Sequence, residues 1–314
     1  MGGLVRAERR EIQSKLKREN LRVIAKYFAD SMTKPGKSLV FGNPKDFGLA
    51  YEDVTFKAND GVALSGWLIK GGKNKVIVQS HFGIQCSRSG YTPKGKGMVK
   101  LWKNDIPFLN QAKYLADAGY SVLMYDFRNH GNSEAGTCVW VSGGQEESKD
   151  VIAAVDFITH HPDYKESKIG LLSICMGAVS TAYAYGAENG LQKYTNIKAL
   201  IAVQPIGFAL FLRAMGVPGF LVNRANKINL KRGGVDLYAS CLPYVKSIDV
   251  PTMVVQNKND PWTSFDYVKS YYDELKVEKE MLWIDLSKRR AAAYDWMGKY
   301  PDEILAFFEK HLSQ

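Results

Sequence analysis

The stretch Ile169-Gly170-Leu171-Leu172-Ser173-Ile174-Cys175-Met176-Gly177-Ala178, which runs on in helix-forming residues to Ala187, decides the fold. An apolar run of strand length, Ile169 to Leu172, enters a tight Ser-x-Cys-x-Gly turn and leaves it as a helix-like segment, Ala178 to Ala187. A turn that sharp needs small residues two before and two after its apex, and Ser173 and Gly177 meet the demand. The apex would hold up the thiol of Cys175. The backbone N–H of Met176, at a helix start, would point into the site where it can stabilise a developing oxyanion. The same helix end favours a thiolate. The competing use of Cys175 is that of a small core side chain in a fold that has lost its activity, since cysteine is among the most buried residue types.

Outward from this turn the chain alternates strand and helix. Strands are expected at Lys75 to Ser80, Ser121 to Asp126, Ile169 to Leu172, Ile197 to Val203, Thr252 to Gln256 and Met281 to Leu286. Helices are expected at Pro107 to Ala118, Glu146 to His160, Ser264 to Leu275 and Pro301 to Leu312. The pattern predicts a parallel, doubly wound α/β sheet, several of whose strands are the short apolar runs of a sheet covered on both faces. Ahead of it, Tyr51 to Phe56 and Val62 to Ile69 flank Asn59-Asp60-Gly61, a hairpin turn. Residues 205–248 are too long for a connection between neighbouring strands and are expected to form a helical cap inserted over a pocket mouth, or else a surface excursion.

The N-terminal 45 residues hold 11 Lys and Arg against 4 Asp and Glu, or +7 of the chain's net +10. Apolar residues Ile12, Leu16, Leu21, Ile24, Phe28 and Met32 make an amphipathic helix of this arm, stopped at Pro35-Gly36. The expected division is an arm over 1–45 and an α/β domain over 46–314. With the charge confined to the arm and no nucleic-acid-reading motif, nucleic acid is not expected as a partner. A solvated face, and a homodimer contact through the arm, are the expected uses. No run approaches the ~20 apolar residues that span a bilayer, and Met1 to Arg10 has no secretory pattern, so no membrane is expected and a cytoplasmic site is. The four cysteines (Cys86, Cys138, Cys175, Cys241) have no metal-ligand spacing, and neither disulfides, metal nor an organic cofactor is expected.

Other candidates follow the strand ends. His81-Phe82-Gly83 follows Lys75 to Ser80, where Phe82 would give a second oxyanion donor; His81 is a loop brace or a base. In Asp126-Phe127-Arg128-Asn129-His130-Gly131-Asn132-Ser133, Arg128 would brace the loop by ion pairing, and His130 reads as structural. Asp260, after Thr252 to Gln256, could orient an imidazole or cap a turn next to Pro261.

The turn at Cys175, Asp260, the His81-Phe82-Gly83 loop and the Asp-x-Arg-x-His-Gly-x-Ser run together resemble the α/β-hydrolase fold superfamily over about residues 50 to 312. A cysteine at the turn is similar to the dienelactone-hydrolase branch, whose members use a Cys-His-Asp triad on unsaturated lactones. The resemblance implies a mostly parallel sheet of about eight strands, Cys175 as nucleophile, Asp260 as acid, and Met176 with Phe82 as oxyanion donors. It also implies a histidine after the last strand, where this chain reads Ser287-Lys288-Arg289-Arg290-Ala291-Ala292-Ala293-Tyr294-Asp295-Trp296. Three functions remain open: acyl chemistry on a small ester, lactone or thioester through Cys175 with His81 as the nearest base; a cyclase, isomerase or lyase in which Lys288 or Arg289 stabilises an enolate; and a pseudoenzyme or binding module. Tyr294 and Trp296 could line the pocket or pack on the sheet.

Overall fold

The computed structural model describes residues 17–27, 29–30, 38–83, 85–95, 101–136 and 141–313. The arm helix, α1, is described at residues 17–27 and 29–30. Its inward residues are Ala25 and Ala29, while Ile24, expected on the apolar face, is exposed. Small residues face inward because Ala25 packs into a cluster with Phe208, Leu212, Leu221 and Val222, and Asp30 reaches Arg232 at 2.6 Å. Ile12, Leu16, Phe28 and Met32 lie outside the residues whose side chains are described.

The chain then builds an antiparallel hairpin, β1 (Tyr51–Lys57) and β2 (Ala63–Ile69), in register from Tyr51↔Ile69 to Lys57↔Ala63. After β3 (Lys75–Ser80) comes a feature the sequence reading lacks, a separate sheet of three two-residue strands, β4 (Cys86–Ser87), β5 (Gly90–Tyr91) and β6 (Ile106–Pro107). The alternation follows as α2 (Leu109–Asp117), β7 (Ser121–Tyr125), α3 (Ser148–His160), β8 (Lys168–Ile174), α4 (Met176–Gly186) and β9 (Ile197–Val203). Between β9 and the next sheet strand stand three helices, α5 (Phe208–Ala214), α6 (Gly219–Lys231) and α7 (Leu242–Val245). The chain closes with β10 (Thr252–Asn257), α8 (Phe265–Glu274), β11 (Lys279–Ile284), α9 (Ala291–Met297) and α10 (Asp302–Leu312). The last strand lies two residues earlier than expected, because Lys279 and Glu280 on an edge strand can be charged and still pair with Thr252 and Met253.

The eight strands of the main sheet run in the order β1-β2-β7-β3-β8-β9-β10-β11. All pairs from β7 to β11 are parallel, and the β1–β2 and β2–β7 pairs are antiparallel. Period-two alternation divides the core between the faces. Val76, Val78, Ile169 and Leu171 pack against α3 and α4, whereas Ile77, Leu172 and Ile174 pack against α2, α9 and α10.

Arg128, only 1 % exposed, fastens one end of this sheet. Its Nη1 and Nη2 donate to Asp60 in the hairpin turn at 2.7 and 3.1 Å, and its Nε donates to Asp150 on α3 at 2.8 Å. The Arg128 backbone N–H donates to the other Asp150 oxygen at 2.8 Å. Nearby, Arg88 pairs with the buried Asp126 at 2.8 Å.

Candidate active site

Cys175 stands at the carboxyl end of β8, central in the sheet, with φ 56° and ψ −103°. That positive φ costs a non-glycine residue strain, held here by the structure around it. The Cys175 N–H still donates to Val203 O at 2.7 Å, so β8 is paired with β9 up to the apex. Gly177 then passes so close to β3 that a Cβ there would lie 2.6 Å from Ser80 O. Ser173 below the turn shares a 2.8 Å hydrogen bond with Thr181. Met176 is the first residue of α4, and its N–H is among the donors that a helix start leaves without an intrahelical acceptor.

A mostly apolar cavity opens over this apex. Its wall includes Cys175, Met176, Phe82 and Gly83 from the strand ends, Ile206, Phe208 and Phe211 from the segment after β9, and Trp102, Trp262 and Tyr294. The aromatic rings hold one another: Phe82 stacks on Tyr294 at 5.1 Å and Trp102 on Trp262 at 5.7 Å. Phe211 meets the edge of Trp262 at 5.3 Å.

The charged group on this wall is Arg290, at the N-cap of α9 and 1 % exposed. Its Nη1 donates to Asp260 Oδ2, and to Thr263 Oγ1 at 2.8 Å; its Nε donates to Tyr294 Oη at 3.0 Å; its Nη2 donates to Gln204 O. These use four of the five N–H donors of a guanidinium. Cys175 lines the same wall as Arg290 and Tyr294, and its sulfur bears electrostatically on both. Burial works against the Arg290 charge, but Tyr294, Cys175 and Asp260 together outweigh it and raise its pKa above the ordinary arginine value. Burial likewise pushes the Tyr294 phenol well above its usual value, although the Arg290 charge pulls the other way.

Asp260 is fixed in turn. Besides Arg290 it accepts from Gln256 Nε2 at 3.2 Å and from the Trp262 N–H at 3.0 Å. Gln204 completes the setting: directly after β9 it turns into the left-handed region, φ 47°, which aims its carbonyl at Arg290. Its Nε2 donates back to Arg290 O at 3.0 Å.

Of the residues expected from the sequence, the structure brings Cys175, Met176, Phe82 and Tyr294 to one cavity, with Asp260 behind Arg290. It does not bring His81 there. The His81 Nδ1 bonds Phe82 O at 2.6 Å and its Nε2 accepts the Phe127 N–H at 3.1 Å, so both ring nitrogens are occupied. Burial, then the neighbouring His130, and also Arg88 push its pKa well below the usual imidazole value, against the pull of the Phe82 carbonyl. His81 braces the loop after β3 and is not among the residues that line the cavity. Lys288 and Arg289 are exposed, and Arg289 pairs with Asp295 at 3.0 Å. The cation of the site is their neighbour Arg290, with Gln204 and Thr263 as partners the sequence reading did not name. Among the described residues, none that lines the cavity is a histidine.

Among the described residues one group has metal-ligand proximity, Glu278, Glu280 and His311. None of the three lines this cavity, and Lys310 already pairs with both glutamates at 2.8 and 2.9 Å. No described helix is long and apolar enough to cross a membrane.

Residues 107–210 match the family model described as serine aminopeptidase, S33. No curated protein matches the chain. Among solved structures, an esterase of Pyrococcus furiosus superposes with a TM-score of 0.65 at 22% identity, covering 89% of this chain and 99% of that one. The α/β hydrolase GrgF of a Penicillium species gives 0.60 at 19%, covering 84% and 100%. A dienelactone hydrolase of Anabaena variabilis gives 0.55 at 13%, covering 84% and 99%. With the sheet order and the turn at Cys175, these likenesses establish that the chain has the α/β-hydrolase fold.

Proposed function

We propose that this protein is an acyl-handling enzyme of the hydrolase type in which Cys175 is the nucleophile and Arg290 stands where the fold's histidine would stand. The observation that carries the reading is that Cys175 and Arg290 line one cavity while Arg290 is paired with Asp260, so that a guanidinium stands with the nucleophile position on one side and the acid position on the other. Arginine cannot accept a proton, so it serves as a fixed cation beside the sulfur. Thiolate attack on a carbonyl carbon would develop an oxyanion toward the N–H groups of Met176 and Phe82. The aromatic wall selects a small apolar acyl group. The three described cysteines are free thiols, which fits the reducing cytoplasm.

The test is the intact mass after brief exposure to nitrophenyl esters, with Cys175→Ala alongside. An acyl adduct on the wild type alone is expected, and an adduct on neither, or on both equally, contradicts the reading. A second reading, a lyase, isomerase or cyclase, draws on the same cation: Arg290 beside an apolar cavity could stabilise an enolate. It requires product of unchanged or divided mass and full activity in Cys175→Ala.

A further inference from the structure

Helix α9 begins directly after Arg290, and Tyr294 lies about one turn further on, so the i, i+4 spacing puts both side chains on one face, toward the cavity that Cys175 also lines. The Tyr294 ring is held there from two sides, stacked on Phe82 at 5.1 Å and against the edge of Trp102 at 6.0 Å. Its oxygen accepts from Arg290 Nε at 3.0 Å. A phenol oxygen carries one hydrogen besides its acceptor sites, so a guanidinium on the acceptor side leaves that hydrogen to be given elsewhere. The wall thus holds a sulfur, a fixed cation and a hydroxyl with a proton to give.

What a cysteine nucleophile requires of its neighbours follows from how readily it leaves again. A thiol has a pKa of about 8.5, whereas an alkyl alcohol is a far weaker acid. The tetrahedral intermediate formed on an alkyl ester therefore expels the sulfur again unless the departing oxygen receives a proton. We propose that the Tyr294 hydroxyl is a proton carrier of this site, giving its hydrogen to the departing oxygen of an aliphatic ester and recovering it from the attacking water. The proposal rests on Cys175 being the nucleophile. Burial above all keeps the phenol protonated; Arg290 pulls the other way, and Cys175 and Asp260 side with burial. Acylation turns the Cys175 sulfur into a neutral thioester and removes one of the charges that oppose a phenolate, so the proton is released at the step that calls for it.

In the first half-reaction the Cys175 thiolate forms a bond to the carbonyl carbon, and the carbonyl electron pair moves onto oxygen. As that pair returns, the carbon–oxygen bond to the alcohol breaks, and the departing oxygen takes the Tyr294 hydrogen and leaves as neutral alcohol. The negative charge has moved from sulfur to the phenol oxygen, where the hydrogen bond already given by Arg290 Nε becomes charge-assisted. In the second half-reaction water attacks the thioester carbon and gives a proton to the phenolate. Collapse breaks the carbon–sulfur bond, returning the thiolate and releasing a carboxylic acid. Ester and water have become alcohol and acid, and Cys175 and Tyr294 end as they began.

The experiment measures kcat/KM for release of the alcohol from ethyl butyrate and from nitrophenyl butyrate, which share an acyl group and differ in how far the departing oxygen depends on a proton. Wild type, Tyr294→Phe and Cys175→Ala are compared per folded molecule. Tyr294→Phe keeps the ring and removes the hydroxyl. It should lower the ethyl ester rate by about 100-fold or more, with a loss at least about tenfold smaller on the nitrophenyl ester. Equal losses on the two esters, or no loss on either, would overturn the proposal while leaving Cys175 as nucleophile. So would a wild type that releases nitrophenol through Cys175 and no ethanol. Where the variant does not fold, the wild type in heavy water decides. A slowing on ethyl butyrate about twofold or more beyond that on nitrophenyl butyrate is expected, and equal slowing overturns the proposal. Absence of Cys175-dependent release from both esters would overturn the nucleophile reading, and the proposal with it.

Discussion

Arg128 and Arg290 are both 1 % exposed and both paired with buried carboxylates, yet they do different work. Arg128 turns its whole fork onto Asp60 and Asp150 and joins three segments of chain. Arg290 gives its fork to Asp260, Thr263, Gln204 and Tyr294 and still lines a cavity together with Cys175. Burial and ion pairing are shared; what separates a brace from a candidate site is whether the cation also faces a space for a ligand, which Arg290 shares with the proposed nucleophile Cys175.

The sharpest way to break this comparison is to remove each arginine. Arg128→Met strands two carboxylates, and a loss of about 3–5 kcal/mol is expected in urea unfolding. The acylation rate of the molecules that remain folded should be unchanged. Arg290→Gln should also destabilise, by a similar order for one stranded carboxylate, but it should slow acylation of Cys175 by about tenfold or more. Equal effects of the two variants on acylation per folded molecule would erase the distinction.

Smaller effects sharpen it. Gly177→Ala places a Cβ against Ser80 O, and overpacking of this kind should cost about 1–3 kcal/mol, read as a lower urea midpoint together with slower acylation as the apex shifts. Gln204→Ala keeps the backbone carbonyl that holds Arg290 and removes only the side-chain bond, so a loss of about 1 kcal/mol is expected, read in the same unfolding experiment. The weakest effect lies farthest from the cavity. Hydrogen bonds from Lys75, Ser313 and Tyr120 hold the Glu309 carboxyl down at about 2, against an ordinary 4.5. A depressed value stabilises the fold above the unfolded pKa, and the contribution is lost as pH falls from 4.5 toward 2. Glu309 is largely exposed, so the difference from Glu309→Gln should be small at neutral pH and should shrink at about pH 3, measured by urea unfolding at both.

Much of the fold was legible because it is written in periodicity. The buried runs at Lys75, Ser121, Ile197 and Thr252 became strands, and the small residues around Cys175 announced a turn that only close packing against β3 explains. Two-residue strands such as Cys86–Ser87 have no period to read. The residues around the cavity were legible at Cys175, with Asp260 behind it, and obscure between them. In the run Lys288-Arg289-Arg290 composition cannot tell which cation turns inward. Helix α9 begins at Ala291, and successive helical positions lie about 100° apart, so one residue decides between solvent and core. Arg289 turns out to Asp295, and Arg290 turns in to Asp260. His81 stayed open between brace and base because a strand-end histidine is read from position, while its setting is fixed by the carbonyl of Phe82 and the N–H of Phe127, which position does not reveal.

The most direct measurement is the rate of iodoacetamide alkylation at Cys175 in the wild type and in the double variant Arg290→Gln, Asp260→Asn, which removes the cation without stranding its carboxylate. Arg290→Lys serves as a charge-retaining control. If Arg290 is the partner of the Cys175 sulfur, the double variant reacts about tenfold or more slowly and the lysine variant falls between it and the wild type. Equal rates in all three would contradict the assignment of Arg290 as the partner of Cys175.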